Sequence, residues 1–141
     1  MKVKVLGSGE SGFEKITKPA DVTLLERFEN PSPSFRLDIQ IGGYNDAKEF
    51  TSLCPITGQP DFGRIIVKYV PKKWCLESKS WKLYLASYRN HAAFSEACIV
   101  QITHDLKKFL KPVMLHVAGE FTPRGGISVN PSCEYWGKYD D

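Results

Sequence analysis

Apolar and polar side chains alternate from Phe35 to Ile41, where Phe35, Leu37, Ile39 and Ile41 are interleaved with Arg36, Asp38 and Gln40. This period of two predicts a half-buried strand. A second β-rich run, Ile65 to Val70, suits an antiparallel partner to the first. The period then changes. Trp81, Leu85 and Tyr88 share one helical face, and Cys98, Ile102, Leu106, Phe109 and Leu110 fall at i, i+4, i+8, i+11 and i+12. Two helices are therefore expected, split near "NHAAF". Lys107, Lys108 and Lys111 crowd the end of the second, where cations suit the dipole, and Pro112 stops it. A strand from Met114 to Phe121, the turn "TPRGG" and a short strand from Ile127 to Val129 complete the chain.

The first 34 residues have no such regularity: "LGSGESG" is turn-rich, Pro19 breaks any regular element near it, and "NPSPS" closes the stretch. They predict an N-terminal arm with one helical piece, Val22 to Glu29, leading into a single domain over 35–141. The order β-β-α-α-β-β predicts an α+β layer, a four-stranded antiparallel sheet with two helices on one face. Its edge strands would stay open in a monomer, so a homo-oligomer is expected to cover them.

Composition narrows the classes. A chain of 141 residues is one domain's length. With 42% hydrophobic and 25% charged residues and a net charge of +3, an extended nucleic-acid footprint or membrane-surface patch is not expected, although a small anion is compatible. No apolar run approaches the roughly 20 residues that cross a bilayer, and Met1 to Gly12 lacks a signal-peptide core, so a soluble, cytoplasmic protein is expected. The four cysteines form no CxxC pair and no Cys/His cluster of zinc spacing, which predicts reduced thiols and no metal.

Gly7, Gly9 and Gly12 spell GxGxxG after a strand-like start. A dinucleotide fingerprint needs a helix behind its glycines, yet Pro19 leaves only about two turns and no parallel βαβ unit comes after it. The reading is rejected in favour of an arm.

Chemistry concentrates elsewhere. Cys54 lies in the loop "CPITGQPDFG", where a thiol can reach a ligand, although a buried structural cysteine is the commoner fate. Asp61, in the same loop, gives a nucleophile a nearby carboxyl group, and otherwise reads as a turn cap. "ESKSWKLY" opens the first helix, with Ser78 or Ser80 able to cap it and Lys79 and Lys82 on one face. Such a start could hold phosphate or could be a solvated lysine face.

Together, "EFTSLCPITGQPDFG", "ESKSWKLYLASYRNH" and "EFTPRGGISVNP" resemble the short 7-cyano-7-deazaguanine reductases of queuosine biosynthesis. The resemblance runs from Glu49 to Pro131 and weakly covers "VTLLERFEN", Val22 to Asn30. It implies the tunnelling fold, in homo-oligomeric rings of five or stacked pairs of rings with sites between neighbours. It also implies that Cys54 attacks the nitrile carbon to give a thioimide while Asp61 shuttles protons. Glu96 would anchor the 7-deazapurine nitrile, with Glu77 supporting the base pocket or its surroundings. Ser78, Lys79, Lys82 and Arg124 match positions implicated in NADPH binding. The logic is physical: a protonated thioimide is a better hydride acceptor than a nitrile, and covalent attachment divides a difficult step.

One position departs from the family. Its members read Phe-His-Glu where this chain has Phe94, Ser95 and Glu96. Serine cannot exchange protons near neutral pH as histidine does. Ser95 therefore leaves three readings: reduction to the aminomethyl base, hydration of the nitrile to the carboxamide without NADPH, and a non-catalytic purine-binding ring protein.

Overall fold

The computed structural model describes residues 12–43 and 45–137. Gly7 and Gly9 lie outside them. Among the described residues, seven strands, β1 (Arg27–Glu29), β2 (Ile39–Ile41), β3 (Phe50–Leu53), β4 (Pro60–Val70), β5 (Trp74–Leu76), β6 (Met114–Phe121) and β7 (Ser132–Trp136), accompany two α-helices, α1 (Ser78–Ala86) and α2 (Ser95–Leu110). The main sheet is antiparallel and five-stranded. Its order is β2-β4-β6-β7, with β3 on β4 as well. Strand β4 is long enough to take two partners on one edge: β2 pairs with Val67 to Tyr69 and β3 with Pro60 to Gly63.

Several expectations change. The sheet has five strands, because residues expected to lie in a loop, Phe50–Leu53 and Pro60–Arg64, pair with each other or with β6. The first expected strand shrinks to Ile39–Ile41, since Phe35 is 80% exposed. Val22 to Glu29 is no α-helix: Val22–Leu24 forms a 3₁₀ turn capped by Asp21, and Arg27–Glu29 pairs with Trp74–Leu76 in a separate two-stranded ribbon. The last strand is Ser132–Trp136, not Ile127 to Val129. Asn130 accepts the Phe121 N–H and Pro131 accepts that of Gly119, so pairing with β6 resumes only beyond them.

Helix α2 buries Cys98, Ile99, Ile102, Leu106 and Leu110 against Val67, Leu115 and Val117 of the sheet. Gly119 makes this approach possible, because a Cβ there would stand 2.8 Å from the Ile99 side chain. Helix α1 adds Trp81, Tyr84 and Tyr88. Tyr84 donates to Asp105 of α2 at 2.6 Å and shares a 2.8 Å hydrogen bond with Tyr88, while Gln101 donates to the other Asp105 oxygen at 2.9 Å. A buried carboxylate is thereby satisfied and the two helices are tied. The arm is stitched down too: Asp21 N–H donates to Ser87, Glu26 N–H donates to Ser80, and Leu25 enters the core.

Candidate functional site

Strand β3 ends at Leu53, whose N–H donates to the His91 carbonyl and whose carbonyl accepts the Ala93 N–H. This parallel bridge, Leu53 to Ala92, laces the end of β3 to the segment leading into α2. It sets Cys54 beside the approach to Ser95 and Glu96 in the first turn of that helix. The thiol loop is closed at both ends, since Cys54 N–H donates to Gln59 and Gly58 N–H donates to Cys54. Gly58, at φ 71°, takes a turn that side-chain-bearing residues disfavour.

Cys54 is half-buried and unpaired by any disulfide. The Thr57 hydroxyl, followed by the backbone N–H groups of Thr57 and Ile56, holds its thiol below the usual value, against small opposing effects of burial and the Asp61 charge. Donors converging on sulfur favour the thiolate, the nucleophilic form. Cys98 is the opposite case: fully buried, its thiol is pushed up by desolvation, with Ser52, Asp61 and Glu96 as neighbours. The two thiols are thus pushed in opposite directions, Cys54 toward the thiolate and Cys98 away from it.

Asp61 sits on β4 opposite Ser52, and its carboxylate forms a 3.1 Å ion pair with Arg124. Arg124 also donates to Gln59 at 3.3 Å and to the Pro60 carbonyl. Ser95 donates to Glu96 at 2.6 Å. That hydroxyl first, and the Glu96 backbone N–H second, keep the exposed Glu96 carboxyl below its ordinary range. His91 packs edge-on against Tyr88 with centroids 5.3 Å apart.

The α1 residues form a second group. Neither Ser78 nor Ser80 caps the helix: Glu77 does, accepting from the Lys79 N–H at 2.8 Å and the Ser80 N–H at 2.7 Å, and these bonds lower its carboxyl. An anion at this helix start would meet a carboxylate already on those amides, so any phosphate here would have to be met by side chains such as Lys79 and Lys82 and not by the helix N-terminus. Lys82 lies over the Phe13 ring at 5.7 Å, as Arg89 does at 5.6 Å, beside a cavity of about 340 Å³ walled by Phe50, Ile65 and Trp81. Asp46 and Glu49 line the same cavity, so charges of both signs surround its apolar wall. Sequence reasoning overlooked Thr57 and Gln59, although both stand in the motif it singled out; their roles depend on how the loop closes. Among the described residues, no group of three or more His, Cys, Asp or Glu could hold a metal, and no helix is long and apolar enough to cross a membrane.

A loop-borne thiol whose ionisation is favoured by Thr57 and Ile56, with the Asp61 carboxylate of β4 near it, makes a candidate cysteine-nucleophile site on an antiparallel α+β layer. Residues 60–140 match the family model described as QueF-like protein. The chain is 54% identical over 112 residues to the NADPH-dependent 7-cyano-7-deazaguanine reductase of Helicobacter pylori strain HPAG1, covering 79% of this chain and 73% of that protein. It is 52% identical over 115 residues to the enzyme of the same name from Streptococcus mutans serotype c, covering 82% and 68%. The chain belongs to the QueF-like family. Among solved structures, the apo archaeosine synthase QueF-Like superposes with a TM-score of 0.59 at 23% identity, over 74% of this chain and 94% of that one. At that identity the likeness is one of fold, the tunnelling fold expected from the sequence.

Proposed function

We propose that this chain reduces 7-cyano-7-deazaguanine to 7-aminomethyl-7-deazaguanine with NADPH. One observation carries the reading: in a chain 54% identical to a reductase of that name, the loop thiol is held toward its thiolate form beside a carboxylate. The Cys54 sulfur adds to the nitrile carbon, forming a C–S bond while the nitrile nitrogen takes a proton that Asp61 relays. Glu96 accepts hydrogen bonds from the base's guanine-like edge, and Ser95, by donating to it, keeps that acceptor ionised. NADPH supplies hydride, two equivalents per nitrile. Lys79, Lys82 and Arg124 offer cations to its phosphates, Ser78 adds a hydroxyl, and Glu77 holds the helix start in shape. After one hydride the carbon holds both nitrogen and sulfur; its C–S bond then breaks, returning the Cys54 thiolate and leaving an imine, which the second hydride and a proton convert to the aminomethyl product.

Hydration of the same nitrile rests on Ser95 alone, and the names of the relatives favour reduction. The working form is proposed to be a homo-oligomer, a ring of five or a stacked pair of rings, in the cytoplasm. The open edges of β2, β3 and β7, the last with Trp136 68% exposed, support association through the sheet. The test monitors nicotinamide absorbance and product mass with the nitrile base. Two NADPH consumed per aminomethyl product supports the proposal; carboxamide formed without NADPH refutes it.

A further inference from the structure

Arg124 stands at the base of a two-residue turn, Gly125–Gly126, both at positive φ (58° and 77°). The Arg124 and Ile127 backbones exchange both of their hydrogen bonds, at 2.9 and 3.0 Å. Positive φ at both turn residues matches the twist of a hairpin, and the two backbone bonds set the Arg124 backbone at its base. Its guanidinium spends three nitrogens on one stretch of chain: Nε on Asp61 at 3.1 Å, Nη1 on Gln59 at 3.3 Å and Nη2 on the Pro60 carbonyl. Gln59 in turn accepts the Cys54 N–H at 2.8 Å. One planar fork thus grips the closing end of the thiol loop and the carboxylate beyond it. A lysine ammonium could not reproduce this.

We propose that Arg124 is a positioning residue for the nucleophile, fixing the Asp61 carboxylate and the Gln59–Pro60 end of the Cys54 loop, in addition to any contact with cofactor phosphate. The part concerning turnover rests on the reductase reading; the part concerning the thiol does not. The Asp61 charge opposes ionisation of Cys54, and Arg124 neutralises that charge. Without the guanidinium, the carboxylate faces the sulfur uncompensated and the loop loses its clamp.

The experiment compares wild type, Arg124→Gln, Arg124→Lys and Lys108→Gln. Lys108 makes an equal charge change near the far end of α2, about 20 Å along the helix from Ser95 at 1.5 Å per residue. Iodoacetamide labelling of Cys54, read by peptide mass without base or NADPH, should slow about threefold in Arg124→Gln at neutral pH, the scale of a partly screened charge pair. It should be unchanged in Lys108→Gln. In turnover, kcat should fall roughly 10- to 100-fold, the penalty of a misplaced reacting group, beyond any rise in KM for NADPH. Arg124→Lys should restore the labelling rate but only part of kcat, because it returns the charge without the fork. It also keeps the test open should Arg124→Gln fold poorly. Wild-type labelling with a rise confined to KM for NADPH would overturn the proposal and leave Arg124 a phosphate ligand. If wild type fails to reduce the nitrile, labelling alone decides, and only the reductase reading falls.

Discussion

Tyr84→Phe removes one oxygen from the buried link between α1 and α2. The Tyr84 phenol, kept neutral as its burial pushes its pKa far up, is the 2.6 Å donor to Asp105 and the 2.8 Å partner of Tyr88. Asp105 is 8% exposed, so little water can replace the lost donor, and Gln101 serves only its other oxygen. A hydrogen bond to a charged group contributes about 1.5–3 kcal/mol, and the deserted Tyr88 hydroxyl adds to the cost, which places the variant about 2–3 kcal/mol below wild type. For a chain of this length that is a fall in Tm of roughly 6–12 °C. Tyr88→Phe deletes only a neutral partner and should cost about 1 kcal/mol. Circular-dichroism melts and urea titrations, the latter with unchanged m, would measure both variants. The ordering is the discriminating result: equal shifts under about 2 °C would mean that no buried carboxylate depends on Tyr84, and the argument for the helix link would fail.

Two further outcomes concern ionisation. Glu77→Ala should cost about 1 kcal/mol at neutral pH by uncapping α1. Because the cap's amide donors depress the Glu77 pKa on folding, its contribution is full above the ordinary value of 4.5 and is lost as pH falls through the lower folded value; acid-side melts of wild type and variant should therefore converge, and a constant gap would contradict the cap. Ser95→Ala removes the donor that lowers Glu96. Affinity for the nitrile base, measured by calorimetry in a Cys54→Ala background, should then be lost at higher pH on the acid side than with Ser95 present, and superimposable profiles would remove Glu96 from base recognition.

How much could be read beforehand depended on where each residue's partner lies. Helix α2 and strand β6 were legible because Cys98, Ile102, Leu106 and Leu110, or Leu115 and Val117, face one core; their period reports burial directly. Strand β1 was not, because "RFE" becomes a strand only by pairing with Trp74–Leu76, far along the chain. Strand β7 was misplaced since Asn130 and Pro131, not apolar alternation, decide where pairing with β6 resumes. Glu77 displaced two serines as the cap because a cap is defined by where the first turn begins, which local propensity leaves loose. At the site, Cys54 and Asp61 were visible as types in a loop, whereas the Thr57 donor and the grip of Arg124 depend on a loop closure that spacing does not encode.

Everything in the proposed reaction depends on a bond between the Cys54 sulfur and the nitrile carbon. Intact-protein mass spectrometry of the chain with 7-cyano-7-deazaguanine and no NADPH tests it. Addition has no leaving group, so the protein should gain the full mass of the base, the label should map to Cys54, and Cys54→Ala should gain nothing. An unmodified wild-type chain under saturating base, or an adduct that persists in Cys54→Ala, would contradict the account.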